Sequence, residues 1–435
     1  MNFSFRQLTF QSFGSVGPAL NFVALLPLIA YFSGTMMTLV VVIAFLISFI
    51  SFMPIIFFSS RISDGSGYSA YAMYSLGLRV AIFTGLVYIM YSLLVIPNII
   101  MFSSFFVQSF IISVNKIYFD LLFAAMLIIL LFVPLLKKRN LTISVITTIG
   151  IIEILGILVL SAAMIIMRSH SAIYTAYSSV FSGNFWEGVL IGVLMFSGSG
   201  SGIFLFNRSG VPNSRVNRTL ILSYLITGIV MIFSAFALTL FLGSSLNLYS
   251  SDPVILIRFL GSDMGSIVPI LLLTLLLLSA YNLMLSYSHA LINMYENFQG
   301  RILRKIKYVK SEAFITILIG VDILIILISR STIGFYNAFV LIAEVVSLSY
   351  VVVHLLVGIS LFNSRKFERK IRLVGLLSII LLFIAMIGSL INSSSLFYLT
   401  ILSFILIILI SIFGTFFISK YYASEDGVIE NTISS

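Results

Sequence analysis

The sequence predicts an all-helical protein that crosses a membrane about twelve times, and its composition, its apolar segments and its charge distribution all predict this class. Of the 435 residues, 60% are hydrophobic and only 9% are charged, whereas a soluble domain carries about 25% charged residues. Apolar segments of about 20 residues or more, the length that crosses a bilayer, recur along the chain. A soluble protein of this size could not cover its surface with so few charges.

Twelve apolar segments follow one another, each bounded by polar or charged residues. Their expected bounds are 11–32, 36–58, 77–111, 118–136, 141–167, 186–206, 219–243, 266–293, 312–329, 333–361, 372–391 and 396–419. The first ten residues lack the order of features that makes a signal peptide, so we expect a short cytoplasmic tail there. The polar residues 420–435 are expected to form a disordered cytoplasmic tail.

The basic residues test this count of spans. If both termini are cytoplasmic, only Lys116, Arg168, Arg258 and Arg330 of the 24 Lys and Arg residues fall on the outer side. The other 20 fall on the inner side, as expected for a plasma-membrane protein with an even number of spans. The net charge of +10 therefore reflects topology and requires no nucleic-acid partner. With no cysteine and three widely spaced histidines, we expect no metal site and no cofactor.

Two spans contain residues that interrupt a helix. Span 1 contains GSVGP, residues 14–18, whose proline removes a backbone donor and whose glycines permit unusual dihedral angles. Span 6 contains FSGSGSGIF, residues 196–204, whose three Ser and three Gly cost about 4–5 kcal/mol of helix propensity relative to Ala. Taken alone, this run is equally a close-packing surface for another helix, through Gly198 and Gly202.

The two interrupted spans occupy matching positions in the chain. They begin two five-span halves, at 1–183 and 184–361, which are followed by spans 11 and 12 at 362–419. Broken helices at matching positions of inverted repeats indicate a transporter binding site. A half-helix N-terminus attracts a carboxylate, and unwound carbonyls accept an ammonium group or a cation. We therefore predict that residues 197–202 are unwound and face residues 14–18 across a substrate-sized cavity.

Spans 1 to 10 resemble the amino acid–polyamine–organocation superfamily, specifically its amino acid permeases. The segments that carry the resemblance are GSVGPAL in span 1, DGSGYSAYAMYSLG between spans 2 and 3, FSGSGSGIF with the downstream VPNSRVNRTL, and SHALINMYENFQGRILRKI at the end of span 8. The resemblance implies a leucine-transporter-type fold of two inverted five-span repeats plus two extra helices. Spans 1, 2, 6 and 7 would form a mobile bundle, and spans 3–5 and 8–10 a scaffold.

The resemblance also implies that the substrate lies on the two breaks. The implied binding residues are Gly14, Ser15, Gly17, Phe196, Ser197, Ser199 and Gly200. Backbone groups of the first break would hold an α-carboxylate, and carbonyl groups of the second an α-amino group. Phe196 and Phe204 are candidate aromatic gates, although in a chain with 40 phenylalanines lipid or core packing explains either ring as well.

Acidic residues inside the spans are candidates for ion coupling, because each is unfavourable in a membrane. Glu153 in span 5 and Glu344 in span 10 are each interpreted either as a proton carrier or as an anchor for a helix. Asp322 in span 9 is expected to be structural. Ser279 and Ser286 in span 8 are possible ligands of a sodium ion, together with span 1 carbonyls.

These features together predict a symporter for amino acids that works by alternating access, with H⁺ favoured over Na⁺ as the coupling ion and the lipid bilayer as its surroundings. No ATP-binding loop is present in the sequence, and no loop clusters the residues of an enzyme active site. The alternatives left open are a polyamine, organic-cation or nucleobase carrier on the same fold, or a transporter-like nutrient sensor.

Overall fold

The computed structural model describes residues 5–110, 116–137, 139–167, 183–205, 213–301, 310–390 and 397–423, which are almost entirely helical. The α-helices are α1 (Phe5–Gly14), α2 (Pro18–Ser33), α3 (Met37–Ser59), α4 (Tyr68–Gln108), α5 (Lys116–Lys137), α6 (Arg139–Ile166), α7 (Gly183–Met195), α8 (Asn213–Leu242), α9 (Leu246–Ser251), α10 (Ile255–Met264), α11 (Ile267–Arg301), α12 (Ser311–Thr332), α13 (Phe335–Asn363), α14 (Arg369–Leu390) and α15 (Phe397–Ala423). Short 3-10 helices cover Gly34–Met36, Ser197–Leu205 and Gly243–Ser245.

Each of the twelve expected spans is matched by helical structure. The described residues contain 10 stretches long and apolar enough to cross a membrane. One of them, Thr9–Ser59, contains both span 1 and span 2, and the shorter apolar helix Ile117–Phe132 supplies span 4. The chain is therefore an all-helical, multi-pass membrane protein, as predicted.

The helices differ in how deeply they are buried. Span 6, formed by α7 and the 3-10 helix Ser197–Leu205, is almost wholly buried, whereas α14 and α15 expose most of their apolar side chains. Helix pairs recur when the two halves are exchanged: α1 packs on α8 as α7 packs on α3, and α4 packs on α13 as α11 packs on α6. This pairing is what an inverted repeat produces, with the broken spans at the centre.

The segment before span 3 differs from the expectation. The motif DGSGYSAYAMYSLG was expected to be a loop, but α4 already begins at Tyr68 and continues through the motif. The helix is kinked at Gly77, whose φ of 84° and ψ of 176° are outside the helical region and are open almost only to glycine. The expected disordered tail lies, from residue 424 onward, outside the described residues, as does the start of the VPNSRVNRTL motif.

Candidate functional site

Span 1 is interrupted as predicted. Helix α1 ends at Gly14 and α2 begins at Pro18, leaving Ser15, Val16 and Gly17 between them. Gly17 adopts the left-handed conformation, with φ 61° and ψ 64°, and a Cβ atom there would lie 2.5 Å from Leu283 Cδ1. No side chain caps the N-terminus of α2. Pro18 has no N–H and the Leu20 N–H is bonded to Ser279, so it is mainly the helix dipole that presents a partial positive charge at the break.

Span 6 is also interrupted, but not in the form predicted. Helix α7 ends at Met195, and the Ser-Gly run continues as the 3-10 helix Ser197–Leu205 instead of an unwound segment. In this tighter helix each N–H bonds to the carbonyl three residues back, and alternate residues without a Cβ relieve its crowding. The α-helix is therefore broken before the Ser-Gly run, but the prediction that residues 197–202 are unwound is wrong, because the 3-10 helix continues through Gly200.

The two breaks touch each other directly, which corrects the expectation of a cavity between them. The hydroxyl oxygens of Ser15 and Ser201 are 2.6 Å apart, and Gly202 N–H donates to Ser12 Oγ at 3.2 Å. A Cβ atom on Gly198 would lie only 1.7 Å from the Ser15 carbonyl oxygen. The small residues of the run therefore serve close packing as well as interruption, and both interpretations of the sequence apply.

A small cavity of about 60 Å³ lies beside this junction, on the side of α2. Its polar lining comes from Ser15, Asn21, Asn98, Ser197 and Tyr287, and its apolar lining comes from α2, α4, α7, α11 and α13. No charged side chain is among the described residues that line it. The cavity combines helix ends, neutral polar groups and apolar walls, which is the usual composition of a small-molecule site.

Three of these polar residues were missed by the sequence analysis. The Asn21 side-chain amide donates to the carbonyl oxygens of Val16 at 2.7 Å and Met195 at 3.2 Å, and so joins the two broken spans. The Asn98 Oδ1 atom is buried without a hydrogen-bond partner among the described residues. Tyr287 Oη lies 3.2 Å from Ser197 Oγ. Asparagine inside an apolar span, close behind Pro18 or Pro97, is the sequence signal that could have identified two of them.

Of the seven predicted binding residues, the structure places Ser15 and Ser197 in the lining of the cavity. Gly14 packs against Ser286, where a Cβ would lie 2.7 Å from the hydroxyl oxygen, and Gly200 packs equally closely against the Tyr68 hydroxyl. Gly17 contacts Leu283, and Ser199 is buried with its hydroxyl lacking a partner among the described residues. The positions outside the lining shape the breaks, and their direct contact with substrate stays a prediction.

Neither gate candidate lines the cavity. Phe196 is fully buried, and its ring packs edge-on against Phe45 at a centroid distance of 5.5 Å. Phe204 packs against Tyr88 at 4.9 Å and Tyr68 at 5.7 Å. The three rings pack against one another and join α4 to the end of span 6.

The coupling candidates Glu153 and Ser279 lie together beside the start of α2. Glu153 on α6 is fully buried, and its Oε2 accepts a hydrogen bond from Asn282 Nδ2 at 3.2 Å. The Ser279 hydroxyl lies near this carboxyl group. Ser279 Oγ accepts the Leu20 N–H at 2.9 Å. Ser279 thus lies beside both the Glu153 carboxyl group and the first turn of α2.

The other acidic residues lie elsewhere. Glu344 points away from the substrate cavity, and its Oε2 accepts a hydrogen bond from Thr400 Oγ1 at 2.6 Å. Asp322 is fully buried on α12, and neither of its carboxyl oxygens has a partner among the described residues. No cluster of three or more His, Cys, Asp or Glu side chains that could hold a metal ion is found in the described part of the chain.

Comparison with known proteins identifies the fold, but neither the family nor the substrate. No protein-family model and no curated protein matches the chain. Three solved structures of a manganese transporter from Eremococcus coleocola are similar: two mutants with TM-scores of 0.60, and a complex with an aromatic bis-isothiourea substituted compound with a TM-score of 0.59. Each is 14% identical, and each match covers 95% of this chain and 94% of the other. The chain therefore has the leucine-transporter-type fold, with spans 1 and 6 broken.

Proposed function

We propose that this protein is a secondary transporter that carries amino acids across the membrane by alternating access. The observation that carries the proposal is the meeting of two broken helices at one cavity with an uncapped helix N-terminus. Spans 1, 2, 6 and 7 rock against spans 3–5 and 8–10, as the resemblance to amino acid permeases implies.

A zwitterion fits the cavity better than an ion with a net charge. The N-terminus of α2 attracts a carboxylate, while the Asn98 amide oxygen and the Ser197 hydroxyl accept hydrogen bonds from an ammonium group. An isolated charge in a membrane interior is costly without an opposite charge beside it. A zwitterion brings both charges and places them against opposite dipoles.

We assign proton coupling to Glu153. Its carboxyl group lies near Ser279, whose hydroxyl oxygen accepts the Leu20 N–H next to the break that would hold the substrate carboxylate. A change in the charge of Glu153 therefore changes the field at the start of α2. Protonation on one side of the membrane and release on the other would link the proton gradient to substrate binding.

The second candidate substrate is a divalent metal ion, favoured by the similarity to structures of a manganese transporter. Neutral oxygen atoms of Asn21, Asn98 and Ser15 in the cavity are suitable ligands for such a metal. The amino acid is the stronger candidate because the described lining contains no carboxylate to balance a double positive charge.

Ligand-induced thermal stabilisation of the purified protein distinguishes the two candidates. A ligand at about 100 times its Kd stabilises the native state by about 2.7 kcal/mol. We expect one or more amino acids to raise the unfolding temperature, more strongly at acidic pH, and Mn²⁺ and simple amines to have no effect. Counterflow of the same amino acid in proteoliposomes then shows transport. Stabilisation by Mn²⁺ alone, or by amines alone, would overturn the assignment of the substrate.

A further inference from the structure

A groove of about 550 Å³ lies between α6 and α11, away from the substrate cavity. Its walls are open to the surroundings, since the exposed fraction is 69% for Val159 on α6 and 55% for Leu271 on α11. Gly156 and Ala163, two small residues two turns apart on α6, make room for it. A Cβ atom on Gly156 would lie 2.6 Å from Leu275 Cδ2, so the two helices are in contact beneath the groove.

The groove offers no hydrogen bond to a polar ligand. Among the described residues that line it, Thr274 is the one with a polar side chain. Its hydroxyl group donates to the Ile270 carbonyl oxygen of its own helix at 2.9 Å. Ordered water needs several polar partners, whereas an apolar cavity takes up an apolar molecule. The chemistry of the groove therefore suits a hydrocarbon.

The groove has the length of one leaflet of a bilayer. On α6 it extends from Ile152, at the middle of the helix, to Ala163, and on α11 from Val268, next to the helix start, to Leu278. At about 1.5 Å per residue, these stretches are about 16 Å and about 15 Å long. Half of the hydrocarbon core of a bilayer is also about 15 Å thick. The groove thus runs from the membrane surface to the membrane middle, as the acyl chain of a lipid does.

The outer end of the groove lies beside an amphipathic helix. Met264, the last residue of α10, lines the groove. Leu256 and Leu260 of α10 are buried, whereas Arg258 and Ser262 are exposed, as in a helix that lies in the plane of the membrane surface. Arg258 precedes Met264 by six residues, about 9 Å along the helix. A guanidinium group binds phosphate well, so this end of the groove suits a phospholipid head group.

We propose that the groove binds one acyl chain of a phospholipid whose head group lies beside α10. The distribution of basic residues predicts that this is a lipid of the outer leaflet. The end of the chain reaches Ile152 and Leu278, the sequence neighbours of Glu153 and Ser279, and packs beside the contact in which Asn282 bonds to Glu153. No described residue lines both this groove and the substrate cavity, so the site does not depend on which substrate is carried.

Photo-crosslinking of the full-length protein in lipid nanodiscs tests the proposal. No substrate is added, so failure of the proposed transport function would not affect the outcome. Two phosphatidylethanolamine probes carry a diazirine, one next to the glycerol and the other at the end of the acyl chain. We expect the first to label Ala163 and Met264 and the second to label Ile152 and Leu278, each several-fold above the exposed side chains of α12 and α15. Even labelling of all lipid-facing helices, or labelling of the same positions by both probes, would overturn the proposal.

Ala163→Phe fills the groove near its outer end. We expect labelling at Ile152 and Leu278 to fall to the level of α12 and α15. Ala125→Phe adds the same side chain at an exposed position on α5 and should leave the labelling unchanged. Size-exclusion chromatography first checks each variant, and Val159→Phe on the same wall serves if Ala163→Phe does not fold. Unchanged labelling in a folded groove variant, or a groove that neither probe reaches because a second copy of the chain covers it, would contradict lipid binding.

Discussion

At the scale of single residues, two buried polar side chains connect otherwise separate parts of the substrate site. Asn21 bonds to carbonyl groups on both broken spans, and Glu153, bonded to Asn282, lies near Ser279, which bonds to the start of α2. In each case a polar group inside a membrane span is matched by donors or acceptors from another helix. Such groups are unfavourable in a membrane unless they are hydrogen-bonded. Removing one partner therefore leaves the other without its hydrogen bond and lowers stability.

Replacement of Asn21 by Ala removes both hydrogen bonds between the broken spans. Each buried carbonyl left without a donor costs about 1–3 kcal/mol. We expect a lower unfolding temperature and a substrate affinity reduced by about tenfold or more, a factor that corresponds to 1.4 kcal/mol. Thermal unfolding and substrate-dependent thermal shifts measure the two effects. Asn337→Ala removes an exposed asparagine that bonds within its own segment and should leave both values unchanged; an equal loss in both variants would contradict the role of Asn21.

Replacement of Glu153 by Gln keeps the shape of the side chain but removes its titration. We expect uptake into proteoliposomes to lose its dependence on the pH gradient, because no proton is bound and released beside α2. Exchange of substrate in the absence of a gradient should continue. Asp322→Asn is the matched control, since Asp322 is also fully buried but lies on α12. A Glu153→Gln variant with the pH profile of the wild type would refute proton coupling at this residue.

At the scale of elements, the interruption of span 6 depends on glycine more than on serine. The Ser-Gly run forms a 3-10 helix whose Gly198 packs directly on the backbone of the break in span 1. Poor helix propensity alone does not interrupt a helix in lipid, because exposed backbone groups are costly there. Here the groups freed at one break are bonded by the other, as in the contact between Gly202 and Ser12.

Gly198→Ala tests this contact between elements. The added Cβ would lie 1.7 Å from the Ser15 carbonyl oxygen, and backbone atoms cannot move aside as a flexible side chain can. We expect a loss of stability of several kcal/mol, comparable to severe overpacking, seen as a large fall in the unfolding temperature. Gly320→Ala is the control: it lies within α12 with nothing within 4 Å of its Cβ position, so alanine should be neutral or stabilising by about 1 kcal/mol. Similar stability of the two variants would contradict the close packing.

At the scale of the whole molecule, the orientation in the membrane follows from charge and not from packing. The fold is compatible with either orientation, whereas the distribution of Lys and Arg predicts that both termini are cytoplasmic.

Single cysteines can test the orientation without background, because the chain contains none. Ser262→Cys on α10 is exposed between spans 7 and 8, and Glu368→Cys is exposed between spans 10 and 11. We expect a membrane-impermeant thiol reagent to label the first in intact cells and the second only after permeabilisation. Labelling in the opposite order would reverse the orientation, and labelling of both in intact cells would contradict the span count.

The sequence by itself determined the number of spans, the positions of the two breaks and hence the fold, because hydrophobic length and helix-breaking residues are local properties of a chain. Only the tertiary structure decided which side chains line the cavity. Ser15 and Ser201 are 186 positions apart, and their contact depends on how each helix is rotated about its own axis. For the same reason Glu344, which the sequence left as either a proton carrier or a helix anchor, lies beside Glu187 and Thr400 and not in the lining of the substrate cavity. A side chain in a membrane helix always has several possible neighbours, and packing alone selects among them.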